Sequence, residues 1–229
     1  MEIKKDQTPL IFDKIYESYD QMNHIISLGL DKRWRKKFVK LLKNRDYDVV
    51  IDLASGTGDL LVELAALNAK HYYAIDPSVK MLTLAETKFY CADFINASAE
   101  SMPFNNNSVD LITISFGIRN FPDMKKAFDE MYRILNNNGI VSIMEFSIPE
   151  FFLFRWGFLI YLKAIIPLLV TIFRKNKQAY KYLQESILDF GRNIKVTELL
   201  EESGFIITKK KKLTLGVVSI YSCKKINNN

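Results

Sequence analysis

Two cysteines, Cys91 and Cys223, and two histidines, His24 and His71, are all that 229 residues offer of these types. Two unpatterned thiols cannot build a disulfide framework or a zinc site, so a reducing, cytoplasmic setting is expected. No set of carboxylates and amides is clustered for a metal ion, and none is expected. The polar, charged start carries no secretory signal. No internal repeat is present. The chain's main glycine loop lacks both the lysine of a P-loop and the third glycine of a dinucleotide fingerprint, where Leu61 stands instead.

What is present suits one globular domain. Hydrophobic residues make up 48% of the chain and mean hydropathy is −0.02, ample for a core. Net charge is +6, from 32 basic and 26 acidic side chains. The excess is local: Lys32, Arg33, Arg35, Lys36, Lys37, Lys40, Lys43 and Arg45 crowd one segment, and Lys209 to Lys212 form another. Such a helix presents a solvated face, an anionic-lipid face or a nucleic-acid face.

The most informative stretch is Asp48-Val49-Val50-Ile51-Asp52-Leu53-Ala54-Ser55-Gly56-Thr57-Gly58-Asp59. A short apolar run ends in small residues, and Leu60, Leu61, Leu64 and Ala65 follow at helical spacing. Gly56 and Gly58 permit backbone angles closed to other residues and let a ligand approach the main chain. The helix behind them aims free N–H groups into the loop. After a second strand, Tyr72 to Ile75, comes Asp76, placed to accept from ribose hydroxyls. Asp52 would repel a pyrophosphate but suits a cationic sulfonium ligand with an amino group. The pattern therefore favours S-adenosylmethionine over NAD.

Strands are expected at Val49–Leu53, Tyr72–Ile75, Phe94–Asn96, Leu111–Ile114 and Ile140–Phe146. A helix from Met124 to Leu135 shows a stripe of Ala127, Phe128, Met131, Ile134 and Leu135, with Asn136-Asn137-Asn138-Gly139 as its C-cap and turn. A helix from Glu198 stops at Gly204, and strands Phe205–Lys212 and Val217–Cys223 close the chain before a frayed tail, Asn227 to Asn229. This is a doubly wound α/β fold, mostly parallel, with a final antiparallel pair. Within the single domain, residues 1–45 form a helical cap, 46–148 the cofactor core, 149–192 an apolar insertion and 193–224 the last helix and strands. The insertion, Phe151 to Phe173, is nearly long enough to span a bilayer, but Arg155, Gly157, Lys163 and Pro167 interrupt it. A lid over a greasy substrate or an interfacial helix fits it better; a buried helix or a homodimer contact is the plainer reading.

Several blocks resemble the ubiquinone/menaquinone biosynthesis C-methyltransferases. They are Phe12-Asp13-Lys14-Ile15, Tyr19-Asp20-Gln21-Met22-Asn23, Ser27-Leu28-Gly29-Leu30 with Trp34-Arg35, and the glycine loop itself. Asp76-Pro77-Ser78, Ala99-Glu100-Ser101-Met102-Pro103-Phe104 and Ser115-Phe116-Gly117-Ile118-Arg119-Asn120 follow, then Glu145-Phe146-Ser147 and Tyr180-Lys181-Tyr182-Leu183-Gln184-Glu185-Ser186. The chain departs from the pattern in being shorter between Leu82 and Ser98, which abbreviates the helix after Asp76. Ser55 and Ser98 replace the usual glycine and asparagine, and Phe151 to Phe173 follows the family loosely.

The resemblance implies a seven-stranded class I methyltransferase that methylates a ring carbon of a polyprenylated quinol in menaquinone and/or ubiquinone biosynthesis, with demethylmenaquinol the first choice and a methoxy-benzoquinol left open beside it. Ala54, Gly56, Thr57 and Gly58 would hold the cofactor with Asp52 and Asp76; Thr57 would face its amino-acid end, Ser98 and Ala99 its adenine, and Ser115 its methionine side. Arg119 would stabilise charge growing on a ring oxygen, aided by Asn120. Tyr19, Asn23, Phe116 and Tyr182 would close over the ring. The site of nucleic-acid amino-methyltransferases, an acid or amide, two prolines and an aromatic, is replaced by Ser115-Phe116-Gly117-Ile118, so no nucleic-acid partner is expected. Cys91 follows a tyrosine and reads as a buried strand-edge residue; His24 reads as satisfied or exposed. A greasy substrate implies reversible contact with the inner face of the membrane. Alternatives left open are another small lipid or metabolite as acceptor, a nucleic-acid enzyme, and a silent cofactor-binding protein.

Overall fold

The computed structural model describes residues 8–173 and 176–225, so the asparagine tail lies outside the described residues. Two helices, α1 (Thr8–Ile26) and α2 (Leu30–Lys40), precede the sheet. Then come β1 (Val49–Leu53), α3 (Asp59–Leu64), β2 (His71–Ile75), α4 (Val79–Lys88), β3 (Asp93–Ile95), β4 (Val109–Ser115), α5 (Met124–Ile134) and β5 (Leu135–Phe146). An insertion of α6 (Phe152–Ile160), α7 (Ile166–Ile172) and α8 (Lys177–Asn193) leads to α9 (Val196–Glu202), β6 (Phe205–Leu213) and β7 (Val218–Lys225). The seven strands order as β3-β2-β1-β4-β5-β7-β6, with β1 to β5 parallel and β7 antiparallel to both its neighbours.

Side-chain alternation gives the sheet its two covered faces. Ile51, Leu53, Ile112 and Ile114 join Phe128 and Met131 of α5 on one face. Val50, Ala74 and Leu111 join Phe38 of α2 and Leu60, Leu61 and Leu64 of α3 on the other. The expected stripe of α5 is buried, and Asp123 caps that helix by accepting from the Lys126 amide at 3.0 Å. At the outer edge, Lys209, Lys210 and Lys211 of β6 point charge where another strand could otherwise pair.

Three local expectations need correction. The run Asn136–Gly139 is no helix C-cap: it bulges within β5, where pairing jumps from Val109↔Leu135 to Leu111↔Ile140. Asn138 donates to the Asn136 side chain at 3.0 Å, an Asx-type turn, and Gly139 is needed because a Cβ would collide with Leu135. The third strand begins one residue earlier than expected, leaving Asn96 outside it to donate to the Asp76 carbonyl at 3.0 Å. Cys91 is exposed in the turn before β3, not buried at a strand edge.

The stretch Phe152–Ile172 is helical throughout, with a π-turn at Tyr161–Ile165 joining α6 to α7. Its 21 residues and mean hydropathy of 1.8 make it long and apolar enough to cross a membrane by length and composition. Yet one stripe, Phe158, Leu162, Ile166 and Val170, is buried with Met22 and Ile26 of α1 and Tyr180 and Ile187 of α8. Arg155 is exposed, and its guanidinium donates to the carbonyls of Pro149 and Glu150, both at 3.0 Å.

Candidate active site

The sheet places β1 beside both β2 and β4, so the chain leaves β1 in opposite directions on its two sides. A crevice must open at the carboxyl ends of β1 and β4. A cavity of about 790 Å³ lies there. It is lined by Asp52, Ala54, Gly56, Thr57, Asp76, Ser98, Ala99 and Ser115, and also by Tyr19, Asn23, Phe116, Arg119, Asn120 and Tyr182. Gly58 is not among the lining residues; it caps α3 and packs against Ala85.

The loop after β1 is shaped by left-handed residues. Ala54, Gly56 and Gly58 have φ of 55°, 53° and 78°. Alanine is tolerated there because Gly117 makes room: a Cβ on Gly117 would stand 2.6 Å from that of Ala54. At Gly56 a Cβ would meet nothing within 4 Å, so the main chain borders open space. The carboxylate of Asp76 bridges the loop to α4, accepting from the amides of Gly56 and Ser78, each at 2.9 Å. Asp52 accepts from Thr113 Oγ1 at 3.3 Å through one oxygen only.

Polar atoms left over at this loop indicate what it holds. Asp52 Oδ2, Ser55 Oγ and Ser115 Oγ are buried without a partner among the described residues, and all three residues line the cavity. Such orphans are rare unless a ligand or water completes them. Burial lifts the Asp76 carboxyl from 3.8 to about 6, and burial together with Asp76 nearby lifts Asp52 to about 8. A cationic sulfonium and an ammonium are the counter-charges that would restore both to their ionised forms. Without ligand, the folded protein holds protons on these two carboxyls that the unfolded chain has already lost. Stability of the free protein should therefore fall as pH rises from about 4 to about 8. Thermal denaturation across that range should show the decline, and S-adenosylmethionine should raise Tm more at pH 8 than at pH 5.

A second group of residues faces the same space. Burial raises the Tyr19 phenol, offset in part by Arg119 and by a hydrogen bond with Asn23, so it remains a neutral donor. Tyr182 donates to Asn120 Oδ1 at 2.9 Å and shares a hydrogen bond with Thr8 at 3.0 Å. The Asn120 NH₂ is left as that side chain's donor. Phe116, at φ 59°, packs against Phe146 with ring centroids 4.6 Å apart and planes tilted by 37°. Arg119 is buried: Nη1 pairs with Glu145 Oε1 at 2.8 Å and bonds the Phe116 carbonyl, and Nε reaches Ser186 at 3.4 Å. None of these bonds uses Nη2. Burial pushes the Glu145 carboxyl up and Arg119 holds it back, so Glu145 fixes the guanidinium in place.

Sequence reasoning assigned no role to Glu145, although an acid ending the apolar run Ile140–Met144 was a signal. It also overlooked the polar seam seating α1 on the cofactor loop. Asp20 accepts from Thr57, whose hydroxyl is thereby turned toward α1, and from Lys88 at 2.5 Å. Lys88 also donates to Asp59 at 2.6 Å, and Asp13 accepts from Ser78 at 2.5 Å. Arg35 joins the seam, paired with Asp31 and, at 2.8 Å, with Asp59; it is buried and drops out of the exposed basic face. His24, half exposed, meets the end of this seam, with Nδ1 3.1 Å from Asp31.

Sheet order, glycine loop and an acidic crevice with unpartnered buried oxygens define a class I methyltransferase dependent on S-adenosylmethionine. A structure titled as a S-adenosylmethionine-dependent methyltransferase, possible histamine N-methyltransferase, from Thermotoga maritima has the same fold. It superposes with a TM-score of 0.64 over 94% of this chain and 98% of its own, at 18% identity. Residues 1–225 match the ubiE/COQ5 methyltransferase family, and the chain belongs to it. Demethylmenaquinone methyltransferase of Bacteroides fragilis is 33% identical, covering 97% of this chain and 94% of the relative. Ubiquinone/menaquinone biosynthesis C-methyltransferase UbiE of Geotalea daltonii is 36% identical, covering 97% of each.

Proposed function

We propose that this protein methylates a ring carbon of a polyprenylated quinol, demethylmenaquinol first, while resting on the inner face of the membrane. One observation carries the reading: a single cavity joins the cofactor loop, the Arg119 and Asn120 cluster, and an apolar wall of Phe154, Phe158, Leu162 and Ile166. S-adenosylmethionine, when bound, supplies a methyl group already activated on a sulfonium. The protein's share is to orient the ring and favour its anionic form. Arg119, aimed by Glu145, stabilises the oxyanion formed when the ring hydroxyl gives its proton to solvent, and Tyr19 and Asn120 donate to it. Loss of the ring C–H proton to solvent after methyl transfer restores the aromatic ring. Phe116 and Phe146 give the ring a flat apolar neighbour and exclude water.

The membrane part rests on an exposed apolar face. Phe152 is 72% and Trp156 65% exposed, and Phe151, Leu168, Ile172 and Phe173 are exposed with them. Exposed cations Lys32, Arg33, Lys36, Lys37 and Lys40 of α2 serve anionic headgroups in this reading, not nucleic acid. A polyprenyl chain does not cross water, since each exposed CH₂ costs about 0.8 kcal/mol.

Labelled methyl transfer to a reduced short-chain demethylnaphthoquinol tests the chemistry; no product in the folded, cofactor-binding protein would refute it. For the membrane, Phe152→Asp and Trp156→Asp should each weaken binding to anionic liposomes about tenfold or more, with added salt weakening it further. A protein that ignores such liposomes at low salt, or that resists carbonate extraction, would overturn peripheral attachment.

A further inference from the structure

The helix that bears the exposed apolar face also walls the cavity, and its side chains divide between the two tasks. Phe154, Phe158, Leu162 and Ile166 line the cavity, the last three buried with α1 and α8. Leu153, Gly157 and Tyr161, one position back, form a second row on the cavity, with the Tyr161 hydroxyl donating to the Ile26 carbonyl at 2.6 Å. Phe152, Trp156 and Ile160 form a third row, exposed to solvent. Rows spaced by four residues lie side by side on a helix, so the row facing outward adjoins the row facing the cavity.

Residues that line a cavity and are yet largely exposed mark its mouth. Leu28, in the turn between α1 and α2, is 70% exposed; Leu215, between β6 and β7, is 66%; Leu153 is 54%. Around α6 the rim is leucine, which suits an apolar chain; the other exposed lining residues, outside α6, are Pro77, Ser98, Pro122 and Thr214. In the middle of the cavity row stands Gly157. Glycine is a poor choice inside a helix unless its missing side chain is used. Here a Cβ would meet nothing within 4 Å, and the backbone is not in a conformation that demands glycine.

We infer that Gly157 forms the floor of a lateral portal for the apolar chain of the acceptor, which rests on the quinol reading above. The chain crosses Gly157 and leaves past Leu28, Leu153 and Leu215, its far end in the bilayer while the ring stays at Arg119 and Asn120. A side chain at 157 would occupy that crossing. It would not disturb membrane attachment, because leucine is as apolar as its surroundings.

The test compares kcat/KM for a long-chain demethylmenaquinol in anionic vesicles with that for a quinol bearing a single isoprene unit. Gly157→Leu should lower the long-to-short ratio at least about tenfold, the scale on which an apolar pocket registers a small change in volume. Gly157→Ala should shift the ratio the same way by less, and it serves if the leucine variant does not fold by circular dichroism. An unchanged ratio, including one in which both activities fall together, would overturn the portal while leaving the quinol reading in place. A wild-type enzyme that methylates neither quinol would overturn the quinol reading and the portal with it.

Discussion

Arg119→Ala should lower turnover of the reduced quinol about 10²- to 10³-fold while leaving S-adenosylmethionine affinity nearly unchanged. That is the usual loss when one preorganised donor is removed from where charge grows. The same substitution should also cost stability, because Glu145 would be left buried without its counter-charge. Both side chains are almost wholly shielded, and breaking such a pair from one side typically costs about 3–5 kcal/mol. The double variant Arg119→Ala, Glu145→Ala should recover much of the stability and none of the turnover. Arg119→Lys should keep Glu145 neutralised but lose the fork that reaches both Glu145 and Ser186. Denaturant unfolding separates the two effects from steady-state rates. A folded Arg119→Ala enzyme with near-normal turnover would remove Arg119 from the chemistry.

What the sequence made legible was local and periodic. The run Val49–Leu53, the small residues after it and Asp76 beyond the next strand are separated by short, regular spacings, and each falls where it was expected. The α5 stripe was legible for the same reason, since its spacing alone determines which side is buried. Pairings across distant elements were not. Glu145 finds its partner 26 residues earlier in the chain, and Thr57 finds Asp20 at 37. Only the folded sheet brings these together. Arg35 shows the cost of counting charge without contacts: it belonged to a basic cluster by sequence and to a buried ion pair by structure.

The apolar insertion illustrates a different limit. From Phe151 to Phe173 almost every residue is hydrophobic, so no polar face reveals which side is buried. Burial of Phe158, Leu162, Ile166 and Val170 is decided by what α1 and α8 present to them. The π-turn at Tyr161–Ile165 leaves no mark in composition, although it turns Tyr161 toward the end of α1. Asn136–Gly139 misled for the opposite reason. Asparagine and glycine announce a turn, and a turn forms, but β4 continues to pair on both sides of it and makes it a bulge.

Asp76→Ala should reduce affinity for S-adenosylmethionine at least tenfold. Hydrogen bonds to an ionised acceptor are worth about 1.5–3 kcal/mol each, and a ribose offers one or two. The structure adds a second cost: the carboxylate is what ties the Gly56 amide to that of Ser78, so its loss frees the loop as well as the ligand. Asp76→Asn separates the two, since the amide retains one acceptor but turns a donor toward one of those N–H groups. The wild-type protein should also lose affinity as pH falls below about 6. Burial raises the Asp76 carboxyl to about 6 in the free protein, and a ligand that requires the anion must then displace a proton. Titration calorimetry from pH 5 to pH 8 should show affinity rising with pH in the wild type. Asp76→Asn should flatten the lower part of that rise and leave one from Asp52, whose carboxyl, raised to about 8 by burial and by the Asp76 charge, titrates lower once that charge is gone. Unchanged affinity in a folded Asp76→Ala protein would take the ribose contact away from this residue.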